Sequence, residues 1–145
     1  MEVRRGTVAN IPEIVDLLEE YHPTSNLKEV PFVRRDLVKI LEYYMRARES
    51  CPLIAVSEGK IVGILLGTLE PFFFNKRRYY ATDLFFISNG GGMQLLNAFK
   101  EWAWGVRADR IIMGVSSGED RADTFLELSG FEKTGGMYVL YKTRS

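Results

Sequence analysis

Between residues 11 and 21 the apolar side chains recur at three- and four-residue steps: Ile11, Ile14, Val15, Leu18 and Tyr21. That spacing paints one face of a helix. Asn10 offers an N-cap oxygen before it, Pro12 sits in its first turn, and Glu13 follows Asn10 by three residues, close to a capping box. Pro23 ends the pattern. Upstream, residues 2–8 alternate and lean towards β structure (Val3, Thr7, Val8), which predicts a first strand. A loop through Thr24, Ser25 and Asn26 leads to Pro31. A second helical stripe then runs through Leu37, Ile40, Leu41, Tyr44 and Met45.

The period changes in the middle of the chain. Residues 53–57 form a short apolar strand, Glu58-Gly59-Lys60 reads as a tight hairpin turn, and residues 61–69 form the return strand. Residues 71–78 read as an irregular connection with three phenylalanines and a basic tip, Lys76-Arg77-Arg78. A strong strand follows over 79–87. Ser88-Asn89 and three glycines, Gly90, Gly91 and Gly92, lead into a helix with Leu96, Phe99, Ala103 and Val106 on one stripe. Residues 110–115 are a continuous apolar run that suits a strand buried on both faces. A polar turn over 116–120, a short helix through Ala122, Phe125 and Leu128, and Gly130 as its left-handed stop come next. Residues 131–134 and 137–142 read as a closing hairpin around Gly135-Gly136. The predicted order is β α α β β β α β α β β. The strand–helix–strand unit over 79–115 makes its two strands neighbours and parallel. The expected architecture is a mixed, mostly antiparallel sheet covered by about four helices, a mixed α/β fold.

Composition narrows the classes. The chain has 145 residues, with 19 Lys+Arg balanced by 19 Asp+Glu. One domain over 1–145 is expected, and the charge balance argues against a dedicated nucleic-acid binder. No apolar run approaches a spanning helix, and Met1–Arg5 lacks a signal-peptide core, so the expectation is a cytoplasmic protein with no membrane role. A single cysteine, Cys51, rules out an internal disulfide and a cysteine-based zinc cage. With one histidine, His22, at the end of the first helix, no metal site is expected.

The feature that carries chemistry is the strand running into Gly90-Gly91-Gly92 and then a helix. A helix start leaves backbone N–H groups unpaired and carries partial positive charge, and glycines let an anion approach that backbone. A phosphate site follows; the plain alternative is a flexible strand–helix turn. The motif is not a P-loop, because Gly92-Met93-Gln94 lacks the Lys-Ser/Thr pair. Leu95 stands where a dinucleotide fingerprint needs its third glycine.

Three segments together resemble the GCN5-related N-acetyltransferases. They are Asp83-Leu84-Phe85-Phe86-Ile87 followed by Gly90-x-Gly92-x-x-Leu95-Leu96; Ala103-x-Gly105-x-x-x-x-Ile111; and Arg121-Ala122-x-x-Phe125-x-Glu127-x-x-Gly130-Phe131. The resemblance covers nearly the whole chain. It implies a fold whose two central parallel strands splay apart, with acetyl-CoA as acyl donor lying in the gap. It implies backbone contacts to pantetheine from Phe85, Phe86 and Ile87, and pyrophosphate contacts around Asn89, Gly90, Gly91, Gly92 and Met93. It also implies direct transfer of the acetyl group to an amine of a small molecule or protein. A homodimer is a common assembly among proteins of this resemblance.

The chain departs from the family pattern in three places. The link from strand to glycines is shorter, with Ile87 near the usual basic residue. The usual tyrosine acid of the closing helix falls at Leu126, and Glu119 replaces a common asparagine. These departures motivate a second reading, a catalytically impaired binding or structural module with the same fold. For the enzyme reading, Asp83 is the carboxylate nearest the cleft, and a desolvated carboxylate there can serve as base. Simple alternation places Asp83 and Phe85 on one face of the strand. Tyr138, or Tyr141, can substitute as acid, and Ser116 and Ser117 can hold a water or contact the cofactor. The basic tip can grip a polyanion, the CoA 3′-phosphate or an acidic acceptor; a solvated tip is the plain alternative. Gly91→Glu is expected to remove CoA binding and leave the fold intact.

Overall fold

The computed structural model describes residues 1–114 and 120–142, without side chains at 120 and 121. The predicted turn over 116–120, with Ser116, Ser117 and Glu119, lies outside the described residues up to the first residue of the last helix. Contacts divide the chain into two compact units, Met1–Met113 and Gly114–Ser145.

The first unit is built on a five-stranded sheet in the order β1-β2-β3-β4-β5. Its strands are β1 (Glu2–Arg5), β2 (Ser50–Ser57), β3 (Lys60–Phe72), β4 (Asn75–Ser88) and β5 (Arg110–Ile112). The first four pair antiparallel, and β4 pairs parallel with β5. Glu58 (φ 50°) and Gly59 (φ 77°) close the β2–β3 hairpin with two left-handed residues, as the sequence predicts. Three elements differ from the sequence reading. β1 stops at Arg5, and Val8–Asn10 forms a 3₁₀ turn. Residues 71–78 are not an irregular link, because β3 runs to Phe72 and β4 starts at Asn75 around the turn residues Phe73 and Phe74. β5 is a three-residue edge of which Ile112 is 45% exposed, so the run is not buried on both faces.

Helices α1 (Ile11–Tyr21) and α2 (Arg34–Arg46) cover one face of the sheet. Ile11, Ile14, Val15, Leu18 and Leu41 meet Ile54, Ile61, Ile64 and Leu66 there in one buried cluster. Two polar links tie the layer down. The Glu13 carboxylate accepts the Ile61 N–H at 2.9 Å, and Arg34 reaches both Asp16 and Glu19, at 2.9 and 2.8 Å. Asn10 stands at the N-cap of α1, but its side chain turns back to accept from the Thr7 N–H and hydroxyl, so the expected capping box does not form on α1.

Helix α3 (Gly92–Gly105) covers the other face with buried Leu95, Leu96, Phe99 and Ala103. Its closeness depends on two glycines of β3. A Cβ on Gly67 would stand 2.4 Å from the Phe99 ring, and one on Gly63 would stand 2.9 Å from Leu95 Cδ1. Trp102 stacks on Phe99 at 5.9 Å while Trp104 is half exposed, the division expected of two tryptophans two positions apart.

The second unit contains α4 (Asp120–Leu128), stopped by Gly130 at φ 94°. Phe131 N–H donates to the Leu126 carbonyl, closing the helix as a Schellman motif does. The expected hairpin over 131–142 does not form: residues 131–142 contain no strand.

Gly67→Ala is expected to cost about 2 kcal/mol by overpacking against Phe99. Phe99→Leu in the same chain should recover part of that loss. Denaturant titration of the single and double variants checks this. Strictly additive losses would show that the ring does not set the constraint.

Candidate functional site

The site is built where β4 ends and α3 begins. The parallel ladder with β5 pairs Tyr80↔Arg110, Ala81↔Ile111 and Thr82↔Ile112 among the described residues, while β4 continues to Ser88. The two strands are therefore tied together through the middle of β4, at Tyr80, Ala81 and Thr82. Arg78 Nε donates to Asp109 Oδ2 at 2.6 Å, and the Asp109 N–H donates to the Tyr79 carbonyl at 2.8 Å, which strengthens that tie. The Arg78 guanidinium, held by the Asp109 carboxylate, has its pKa raised further.

Register places the side chains of β4. Leu66 pairs with Phe85 and Gly67 with Asp83, so Leu84 is an extra residue, a bulge. Cross-strand partners share a face of the sheet. Leu66 belongs to the α1–α2 cluster, against which Phe85 and Ile87 also pack. Gly67 lies under Phe99 of α3, so Asp83 is on the α3 face. The bulge thus separates Asp83 from Phe85, and simple alternation, which would pair them, is corrected.

The glycine turn has an internal hydrogen-bond network. The Asn89 N–H donates to the Val62 carbonyl at 2.8 Å, and the Gly90 N–H donates to Ser88 Oγ at 3.1 Å. Ser88 Oγ in turn donates to the Gly90 carbonyl. The backbone donors of Asn89 and Gly90, both expected at the phosphate, are thus used inside the turn. Gly91 is the N-cap of α3 at φ 74°, and the first helical bond comes from the Leu95 N–H. Gly91, Gly92, Met93 and Gln94 therefore carry the first-turn amides, with no acidic side chain in that turn. Gln94 was missed by the sequence reading, because the N-cap position depends on the left-handed Gly91. An anionic pyrophosphate fits this donor set. Gly91 cannot take the proposed glutamate quietly: its φ is left-handed and a Cβ there would lie 2.8 Å from Ala55 Cβ.

Beside the turn lies an open cleft of about 200 Å³ lined by Glu20, Tyr21, Thr24, Ile87 and Asn89. It joins the C-terminal end of α1 to the end of β4. Glu20, Tyr21 and Thr24 were not singled out as site residues in the sequence, since only the packing of α1 brings them to β4.

The remaining expected residues are divided between the two units. Tyr138 is 98% exposed in the second unit, and Tyr141 is 40% exposed. Leu126 lies on α4 with a half-buried side chain. His22 braces the loop after α1: Nε2 lies 3.1 and 2.7 Å from the Leu27 and Val30 carbonyls and the ring packs on Phe32. Carbonyls only accept, so Nε2 carries the proton that braces this loop. The basic tip starts β4 and the glycine turn follows its end. A strand of that length separates them by roughly 40 Å, so the tip does not reach a phosphate there. Cys51 is buried in β2, and burial pushes its thiol up to about 12, against the opposing effect of Arg5. It is no nucleophile at neutral pH.

No family model matches the sequence, and no curated protein matches it. Solved structures do match over the whole chain. A transcriptional regulator from Bacillus halodurans superposes with a TM-score of 0.79 at 18% identity, covering 97% of this chain and 98% of that one. An aminoglycoside 6′-N-acetyltransferase from Acinetobacter haemolyticus gives 0.74 at 10% identity, with 100% of both chains covered. An aminoglycoside acetyltransferase from an uncultured soil metagenomic sample, in complex with sisomicin, gives 0.74 at 15% identity, covering 99% and 96%. At these identities the likeness is one of fold.

The Cys51 shift has a sign. The unfolded thiol ionises near its ordinary 9.0 and the folded one near 12. Between those values the unfolded state binds fewer protons, so the contribution to stability is intact below pH 9.0 and is lost as pH rises towards 12. Denaturant midpoints measured across this range should fall more steeply for the native protein than for Cys51→Ala. Equal slopes would contradict the burial.

Proposed function

We propose that this chain, which has the fold of the GCN5-related N-acetyltransferases, transfers an acetyl group from acetyl-CoA to an amine. The observation that carries the reading is the end of β4. The strand runs past its β5 ladder into a left-handed Gly91 and an acid-free helix start, on a fold shared with aminoglycoside acetyltransferases. Acetyl-CoA, when bound, supplies an activated acyl group. Gly91, Gly92, Met93 and Gln94 would hold its pyrophosphate through backbone amides, and Phe85, Phe86 and Ile87 would pair with its pantetheine arm.

The protein's part is positioning and charge control. The cleft beside Ile87 and Asn89 is the proposed entrance for the amine. There Glu20 would attract a protonated acceptor, and the Tyr21 ring and Thr24 would border its alkyl part. Asp83, one residue before the bulge, is the proposed base; it stands on the α3 face, so an amine entering from the α1 side would have to reach across β4 to give up its proton there. Tyr138, in the second unit, is the candidate acid that the sequence offers. The acceptor class is a primary amine, on a small molecule or a protein. The alternative, a catalytically impaired binding or structural module that does not respond to CoA, draws on Leu126 at the position where the family pattern has a tyrosine.

A thermal-shift titration separates the two readings. Acetyl-CoA and CoA should each raise the midpoint saturably, by mass action, and ATP should not. Met93→Glu adds a helix-favouring charge to the first turn of α3 but repels a phosphate. It should weaken CoA binding about tenfold or more without lowering the midpoint of the free protein. Absence of any shift with the native protein would favour the non-catalytic module.

With an amine acceptor identified, Asp83→Asn should lower kcat on the order of a hundredfold with little change in KM. Tyr138→Phe tests the proposed acid in the same assay. An unchanged kcat in a folded, CoA-binding variant would strike that residue from the mechanism.

A further inference from the structure

Among the described residues, two phenylalanines have little to pack on except each other. Phe73 and Phe74 form the turn between β3 and β4, are 85% and 94% exposed, and meet edge to face at 5.2 Å. Neither has a positive φ, so the backbone does not demand these residues, and turns ordinarily take small polar ones. Register shows that this tip overhangs the sheet. The β2 ladder ends at Ser50↔Thr68 and the tie to β5 begins with the Asp109 amide on Tyr79, so the pair Phe72↔Asn75 lies beyond both neighbours.

Cations sit directly behind the rings. Lys76 and Arg77 are exposed and have no acidic partner among the described residues, whereas Arg78 is held by Asp109. Arg110 lies 5.5 Å over the Phe72 ring at the base of the tip. The whole chain is neutral, so this positive charge is a local concentration.

We propose that the β3–β4 tip is a peripheral anchor for an anionic lipid bilayer. The tip is convex, two strands wide and ends in two rings, a shape that enters a fluid interface. Lys76 and Arg77 follow the rings by two to four residues, roughly 7–13 Å along a strand. Side chains inserted about 5–10 Å into the headgroup–acyl boundary would thus leave the cations at the level of the lipid phosphates. No helix among the described residues is long and apolar enough to cross a membrane, and this mode needs none. It revises the expectation of no membrane role. The anchor lies at the opposite end of β4 from the glycine turn and does not depend on the acetyl-transfer reading.

Vesicle flotation tests it. The native protein should float with vesicles of phosphatidylcholine and phosphatidylserine and stay behind with phosphatidylcholine alone. The paired change Phe73→Ser with Phe74→Ser should reduce binding at least tenfold. The pair Lys76→Ala with Arg77→Ala should lose the preference for the anionic lipid. Because these side chains are exposed, circular dichroism and the melting midpoint should match those of the native protein. Failure of the native protein to float with either vesicle overturns the proposal, as does equal flotation of the serine variant. Tip-dependent self-association, or tip-dependent binding of a single-stranded oligonucleotide without vesicle binding, overturns it in favour of a second copy or a nucleic acid.

Discussion

The close seating of α3 on β3 is the contact on which the candidate site depends. Gly63 and Gly67 leave the α3 face of the strand bare, and Leu95 and the Phe99 ring occupy the space a side chain would fill. That contact sets the height of the helix above the sheet. It brings the first turn of α3 to the end of β4, where Gly91 rests against Ala55. A close-packed interior has little room to yield, so the direction of the first-turn amides is set by the same atoms that make the core.

The opposite face of the sheet is more conventional. Leucines and isoleucines of α1 and α2 bury against Ile54, Ile64 and Leu66, and Glu13 reaches across to the Ile61 amide. The two layers have different duties in the proposed chemistry. The α3 layer offers backbone donors to an anion, while the α1 layer brings a carboxylate and an aromatic ring to the cleft. The Leu84 bulge lets a single strand serve both, because it moves Phe85 and Ile87 to the α1 face after Asp83 has been on the α3 face.

Much of the architecture was legible in the sequence because it is written locally. The helical stripes of α1 and α2, the Glu58-Gly59 turn, the glycine entry to α3 and the Gly130 stop are each decided within a few residues. What could not be read depends on partners distant in sequence. The bulge is invisible without the β3 register. The loss of the Asn89 and Gly90 donors needs Val62 and the Ser88 rotamer, and the Glu20–Tyr21–Thr24 cleft needs the packing of α1. The closing hairpin failed in the opposite way: residues 131–142 have suitable local propensity, and the structure forms no strand there. Propensity is a weak determinant where tertiary pairing is absent.

The clasp between Arg78 and Asp109 has a mechanical corollary. Asp109 holds the start of β4 twice, through its carboxylate and its amide, and the three-residue β5 ladder follows immediately. β3 meanwhile holds the other edge of β4 as far as Gly63↔Ser88, and Asn89 is tied on to Val62. A guest seated beside the glycine turn would therefore meet a strand already fixed in place, and the entropic cost of ordering would fall on the guest alone.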